Sequence, residues 1–586
     1  MRKLKINKAI LVFSVTLLLP LLISACGLGS AQPGRVPSPD WSRGVSLSSD
    51  VGGSIGLVVT GAADAVHLVW PTALDDQEHI HYYQLDDTGS LTVERDLELP
   101  EGRVRSPRLL IAGDDKLHLL WARRVEGSSN WELWHALLDD SGELASQASQ
   151  ISAPGTKVGS FVVTQDKDGA GYVVWEDDTA GGLFGVRILP GGRNDPVQLT
   201  ESGSNPGISV GPDGDLHLAW IEPNGVMYAS YPRGELGPAN GSLVADLESH
   251  PSDFLDGPAV GVVDDQVYVV WSTFAKSGQE TGTGRTEYVS FSLEDIRKSP
   301  STRIWILPDE DQPYDPYTSS YPLTVLADPV ISAGLAASYV IEPNTATPLG
   351  GELAMVVSAM QEHRLDNYVQ IVLVVFEDGE FRGYQLAGKT ESFSQDGLLF
   401  TDEAGELHLA WLEGRGNRLY YATTAPDVGS GLNRLGGQDF ASVALGGGLD
   451  ALTGVLFFPL SLVWFIPGFL LLGIYKLRRD DETVGDRTSQ FLVVVAIISY
   501  QLSKALFMPT IISYVPFSAW VDIPDSMTKV LQVLIPLLSL TVGVVIAEIV
   551  RRRRPSTSAL VYFLIVCGID AALTLSVYGV GYLGYI

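Results

Sequence analysis

The sequence predicts an all-β propeller of about seven four-stranded blades, followed by a C-terminal α-helical transmembrane domain of four helices. Three observations carry this. A strand pattern ending in tryptophan recurs six times, with a degenerate seventh copy. Only two cysteines, Cys26 and Cys567, stand in 586 residues, so no disulfide framework holds the middle region and its stability must come from burial. Residues 451–586 contain four apolar stretches, each long enough to cross a bilayer as a helix.

The repeat reads Val66-His67-Leu68-Val69-Trp70, Leu117-His118-Leu119-Leu120-Trp121, Gly171-Tyr172-Val173-Val174-Trp175, Leu216-His217-Leu218-Ala219-Trp220, Val267-Tyr268-Val269-Val270-Trp271 and Leu407-His408-Leu409-Ala410-Trp411. The degenerate copy is Leu353-Ala354-Met355-Val356-Val357. The tryptophan spacings are 51, 54, 45 and 51, then 86 to Val357 and 54 to Trp411, periods that suit propeller blades. Trp70, Trp121, Trp175, Trp220, Trp271 and Trp411 are therefore read as structural repeat residues, wedges in the core. Asp/Gly turns such as Asp213-Gly214 precede the pattern, and a following strand ends at turns such as Asp86-Asp87-Thr88-Gly89 or Asp139-Asp140-Ser141-Gly142. Aspartate and glycine suit hairpins that need positive φ and local side-chain hydrogen bonds. The last copy runs out near Asp427 after three strands, so Trp41–Ser49 is expected to supply its missing outer strand. Residues 296–350 form an overlong insertion that includes the acidic stretch Pro308–Tyr317; such excursions are candidate binding loops.

The formal charge of −30 is unevenly placed. Residues 1–25 carry four basic and no acidic residues, and 451–586 carry ten basic and eight acidic, leaving 25 basic and 61 acidic to 26–450. That field repels nucleic acid and favours cations or basic partners, so no nucleic-acid partner is expected.

Arg2, Lys3, Lys5 and Lys8 precede the apolar run Ala9–Leu22, the layout of a secretory signal peptide over residues 1–25. Ile23-Ser24-Ala25-Cys26 resembles the lipobox of bacterial lipoproteins, with isoleucine where leucine is commoner. The resemblance implies lipidation of Cys26 as the mature N-terminus. Residues 26–40 read as a Gly/Ser/Pro-rich linker, 41–427 as the propeller, 428–450 as a Gly-rich connector and 451–586 as the membrane domain.

The four expected spans are Ala451–Tyr475, Phe491–Val515, Val530–Val550 and Ala559–Tyr582. The first connecting loop holds Lys476, Arg478, Arg479 and Arg487 and the third Arg551 to Arg554, whereas Pro516–Lys529 has one basic residue. The positive-inside rule places the first and third loops in the cytoplasm and the propeller outside it. This is the localisation expected: a multi-pass cell-membrane protein with an extracytoplasmic propeller and a lipid-anchored N-terminus. Lys504 and Asp570 are intramembrane charge candidates, about 20 and 17 Å across from the inner ends at ~1.5 Å per residue. Their depths permit an ion pair; an ion or proton path is the alternative.

His67, His118, His217 and His408 hold equivalent positions, but one per blade they cannot converge on one ion, so no metal site is assigned and inter-blade packing is expected. Asp166-Lys167-Asp168-Gly169 and the acidic insertion offer oxygen ligands without the spacing of a calcium loop, and no cofactor is otherwise expected. Across roughly residues 41–427 the repeats resemble the BNR or sialidase-like propellers of secreted bacterial proteins, although the Asp-box of that family is not reproduced. Its arginine trio and Arg-Ile-Pro motif are also missing; Arg187-Ile188-Leu189-Pro190 is interrupted and misplaced. Catalytic residues therefore remain unassigned. The leading expectation is a binding or scaffolding module for an extracytoplasmic protein or glycan. The alternatives are a cell-surface glycan hydrolase, and a sensor serving a small membrane transport or signalling unit.

Overall fold

A computed structural model describes residues 41–304 apart from 61–64, 73–78, 112–115, 126, 140, 167–168, 190–191, 248–252 and 275–283; residues 321–322, 340–341 and 346–433 apart from 350, 364–365, 389–392 and 415–417; and residues 448 and 451–583 apart from 449–450, 453, 480–482 and 508–524. The signal peptide, Cys26, the 26–40 linker, Pro308–Tyr317, most of the connector and most of the second interhelical loop lie outside the described residues. The chain divides into two compact units, a propeller and a helical unit.

The propeller has seven blades. Blade 1 begins at Gly56–Thr60, blade 2 at Arg103–Ile111, blade 3 at Val158–Gln165, blade 4 at Ser204–Val210, blade 5 at Phe254–Val263 and blade 7 at Ser394–Thr401. Blade 6 is built around the long strands Glu352–His363 and Asp366–Glu377. The first strands touch their neighbours in succession and ring the propeller axis.

Most blades have four strands, but two depart from that count. The outer edge of blade 3 is split between Gly192–Arg193 and Val197–Gln198, which both pair with Leu183–Leu189. Blade 6 carries short pieces at both edges and has six strands.

Val45–Ser48 closes the ring by pairing antiparallel with Arg418–Thr423 of blade 7, Val45 opposite Tyr421. Ser42 reinforces the seam: its N–H donates to Thr423 O at 2.7 Å and its Oγ accepts from Thr423 N–H at 3.0 Å.

The repeated tryptophans are at most 2% exposed, and each lies in an apolar cluster shared with the preceding blade. Trp70 meets Leu412 and Tyr421 of blade 7, Trp121 meets Tyr82 of blade 1, and Trp175 meets Leu110 and Leu120 of blade 2. Trp220 meets Tyr172, Trp271 meets Tyr228, and Trp411 meets Val356 and Ile371. Between blades 5 and 6, Val357 takes the tryptophan's place beside Tyr268 and Tyr288.

A second regularity was not evident as a repeat in the sequence. The first strands of blades 2, 3, 4, 5 and 7 each shift register near their start, between Arg105 and Arg108, Val158 and Phe161, Ser204 and Gly207, Asp256 and Ala259, and Gln395 and Leu398. In four of them the extra residue has positive φ: Ser106 (50°), Asn205 (51°), Gly257 (82°) and Asp396 (53°). Proline follows in three of those, where the unpaired bulge position needs no ladder N–H.

The helical unit contains α2 (Leu462–Arg478), α3 (Arg487–Phe507), α4 (Asp525–Arg553) and α5 (Ala559–Leu583); α1 (Pro426–Leu432) belongs to the propeller unit. Four segments are long and apolar enough to cross a membrane: Phe458–Arg478, Arg487–Leu506, Val530–Arg553 and Ala559–Tyr578. The first begins at a 3-10 turn, Phe458–Ser461, rather than at Ala451; Pro459 at that turn has no N–H to carry a helix across it.

Candidate functional site

Each blade's first and second strands run antiparallel, so the bulged start of one meets the end of the other on the same face. In blade 2 this register sets Arg103 opposite Arg124 and Val104 opposite Arg123, and places Arg105 and Arg108 further along the same strand. Five arginines thus gather at one edge of a domain whose net charge is strongly negative.

Three of them donate hydrogen bonds to backbone oxygens. Arg105 Nη2 donates to Val158 O at 3.1 Å and Gly159 O at 2.9 Å in blade 3. Arg123 Nε donates to Glu101 O at 3.0 Å, and Arg108 Nη1 donates to Ile55 O at 2.7 Å. Arg108 also interacts electrostatically with Asp396 of blade 7. Trp131, half-buried just before the third strand, anchors Arg124 and holds Arg105 as well: Arg105 Cζ lies 4.3 Å and Arg124 Cζ 4.9 Å from its ring centroid. These are distances at which a guanidinium is held by an indole face. Burial, and next the Arg124 charge, lower the Arg105 pKa, while Asp178 partly offsets them.

The acidic half of the site adjoins this. Glu176 and Asp178 follow Trp175 at the end of the second strand of blade 3. Glu176 Oε2 accepts from Ser160 Oγ at 3.3 Å and from the Asn205 N–H, at the bulge of blade 4, at 3.3 Å. Gly159 couples the halves: its carbonyl binds Arg105, and a Cβ added there would meet Glu176 Cδ at 3.1 Å. Burial raises the Glu176 pKa; the Asn205 N–H lowers it and the neighbouring Asp178 raises it again. Asp178 is exposed and receives Lys157 Nζ at 2.5 Å. Two carboxylates, a lysine, two guanidiniums and a tryptophan therefore meet where blades 2, 3 and 4 adjoin. Glycoside-binding or proton-transferring chemistry needs such convergent groups.

The sequence-derived candidates lie elsewhere. Among the repeat histidines, Nδ1 of His67, His217 and His408 lies 2.7 Å from Tyr82, Tyr228 and Tyr421 Oη respectively, and His118 Nδ1 lies 2.8 Å from His135 Nε2. Each of these four partners is on the third strand of the same blade, so these hydrogen bonds run within blades. Asp166 uses both carboxylate oxygens internally, accepting from the Ala170 N–H at 2.7 Å and from the Tyr172 hydroxyl at 3.0 Å; Lys167 and Asp168 lie outside the described residues. Among the described residues, no group of three or more His, Cys, Asp or Glu side chains is placed to hold a metal.

In the helical unit, Lys504 and Asp570 are 5% and 0% exposed, and Lys504 Nζ donates to Asp570 Oδ2 at 2.8 Å. Tyr500 Oη and Gln501 Nε2 donate to the same oxygen at 2.8 and 3.3 Å, and Lys504 also donates to Thr574 Oγ1 at 2.6 Å. Glu548 pairs with Arg551 at 2.6 Å and Arg552 at 3.2 Å at the end of α4.

The arginine cluster escaped the sequence reading because its two parts stand some twenty residues apart. The signal was nonetheless available: Arg103-Val104-Arg105 and Arg123-Arg124 flank the hairpin of one repeat in an otherwise acidic region.

No family model matches the chain, and no curated protein matches its sequence. Among solved structures it is similar to polysaccharide lyase Uly1, with 12% identity, coverage of 64% of this chain and 90% of that one, and a TM-score of 0.42. It is similar to Penicillium chrysogenum α-L-arabinanase complexed with arabinobiose at 14% identity, coverage of 67% and 98%, and TM-score 0.35. It is also similar to the WD40 domain of Toxoplasma gondii coronin at 11% identity, coverage of 67% and 87%, and TM-score 0.36. None of the three reaches a TM-score of 0.5, and nothing about this chain's activity follows from them.

Proposed function

We propose that this chain is a membrane-anchored extracytoplasmic recognition protein that captures an anionic protein or glycan on the face shared by blades 2 and 3. The observation that carries this reading is the arginine cluster at one edge of an acidic propeller, in which Arg105, Arg123 and Arg124 are held by backbone carbonyls and tryptophan rings. Guanidiniums fixed in this way keep donors for an incoming carboxylate, with less rotamer freedom left to lose on binding. The four helices hold the propeller at the bilayer, and a lipid on Cys26 adds a second tether. The test is binding of the full chain, in detergent, to immobilised acidic and neutral polymers at low and moderate salt. Acidic polymers should be retained and released by salt, and Arg124→Ala should weaken retention about tenfold. Equal retention of neutral and acidic polymers would sink the proposal.

A second reading, a glycan-cleaving enzyme, draws support from Glu176. Its raised pKa favours the protonated form that a general acid requires, and Asp178 stands beside it. It would show as new reducing ends released from a bound polymer and abolished by Glu176→Gln; their absence would leave the recognition role alone.

A further inference from the structure

We infer that the junction of blades 2, 3 and 4 takes a sugar residue that itself carries a carboxylate, a uronic acid within a polysaccharide. This rests on the anion-recognition reading and narrows its ligand class.

The argument is one of matched charge. A site made for a run of acidic side chains would gather cations and exclude carboxylates, because like charges at short range repel. Here the cations are only half of the site. Arg105 binds the Gly159 carbonyl, and Glu176 packs against the same glycine. Asp178 stands beside Glu176, with Lys157 on its Oδ2. A ligand that fills both halves must offer an anionic group to the guanidiniums and hydrogen-bond donors to the carboxylates.

A uronic acid residue does this within one ring: a carboxylate on one carbon and hydroxyl groups on its neighbours. A glutamate side chain supplies the first without the second, and a neutral sugar the second without the first. The fixed geometry of the acceptor half strengthens the case. Glu176 Oε2 is oriented by Ser160 Oγ and by the Asn205 N–H, both at 3.3 Å, so the carboxylate is held in place before any ligand arrives. The Asn205 N–H is available to it because Asn205 is the bulge residue, with φ 51°.

The test uses the full chain in detergent micelles and surface-immobilised polymers: polygalacturonate, alginate and hyaluronan, the carboxyl-reduced form of each, and poly-glutamate. At least one polyuronate should bind, with its carboxyl-reduced form and poly-glutamate each about tenfold weaker or more. Glu176→Gln should weaken polyuronate binding about tenfold while leaving poly-glutamate unchanged or tighter, since one acceptor is lost but a repulsive charge is removed. Poly-glutamate binding as tightly as the best polyuronate, with Glu176→Gln tightening both, would overturn the sugar assignment and leave anion recognition standing. A carboxyl-reduced polymer binding as well as its parent, or no acidic polymer binding at all, would overturn both. The polymer comparison is made on the unmodified chain, so it decides the matter even where a variant fails to fold.

Discussion

His67 and His217 are buried and His135 is half-buried, and desolvation pulls their pKa values to about 4, 4 and 3, with the His118 and Arg193 charges contributing further for His135. In the unfolded chain each titrates near its ordinary 6.5. Between the two values the unfolded state binds more protons, so stability is fully present above about pH 6.5 and is lost as pH falls toward 4. Each imidazole adds a slope of up to about 1.4 kcal/mol per pH unit. We expect the urea midpoint to drop steeply from pH 7 to pH 5, and His217→Gln, which can still bond to the Tyr228 hydroxyl, to flatten that drop by up to one proton's worth. An unchanged slope in that variant would mean that His217 is not titrating in this window. The buried Lys504–Asp570 pair is tested at the same scale. Removing one partner of a buried pair costs about 3–5 kcal/mol in soluble proteins, whereas replacing both with apolar residues is often neutral. Asp570→Asn should lower thermal stability in detergent, and the double change Lys504→Met with Asp570→Leu should recover much of it. A single variant as stable as the parent would show that the pair does not hold the helices.

The tryptophan wedges and the closing strand act between elements. Trp121 is fully buried between blades 1 and 2, and its truncation to alanine should cost about 3–5 kcal/mol, read as a lowered urea midpoint. Deleting residues 41–48 removes the outer strand of blade 7 and both Ser42–Thr423 hydrogen bonds, and exposes an unpaired edge. We expect the truncated chain to unfold at lower urea and to self-associate; equal stability would mean that the ring does not depend on this seam. At this scale the sequence was informative where one strand carries the whole signal. The second strand is buried on both faces and carries a large wedge near its end, so each copy could be read by itself, and the three-stranded remnant at the end called for a closing strand within Trp41–Ser49, which the structure narrows to Val45–Ser48. The bulges were not legible: Ser106-Pro107, Asn205-Pro206, Gly257-Pro258 and Asp396-Gly397 share a backbone conformation rather than a residue type. The site was hidden for a related reason. Arg103 meets Arg124 only through hairpin register, and Glu176 meets Asn205 only across a blade boundary, so each pairing belongs to the assembled propeller.

For the whole molecule, the proposed role requires the arginine-rich face to meet ligands outside the cytoplasm, and the charge distribution argues for that orientation. Lys476, Arg478, Arg479 and Arg487 cluster where α2 gives way to α3, and Arg551 to Arg554 where α4 gives way to α5, both connectors on the same side of a four-helix crossing. With an even number of spans, the chain before α2 and the chain after α5 share the other side. Impermeant maleimide applied to intact cells distinguishes the orientations, in a background where Cys26 and Cys567 are serine. Asp87→Cys, exposed in a blade 1 turn, should label at once, and Arg554→Cys only after the cells are opened. The same Cys26→Ser background should leave the chain in the membrane fraction, since four apolar helices outweigh one lipid chain as an anchor, while abolishing the incorporation of labelled palmitate expected of the parent. Labelling of Arg554→Cys but not Asp87→Cys in intact cells would place the propeller in the cytoplasm, and a polysaccharide outside the cell could then no longer be its ligand.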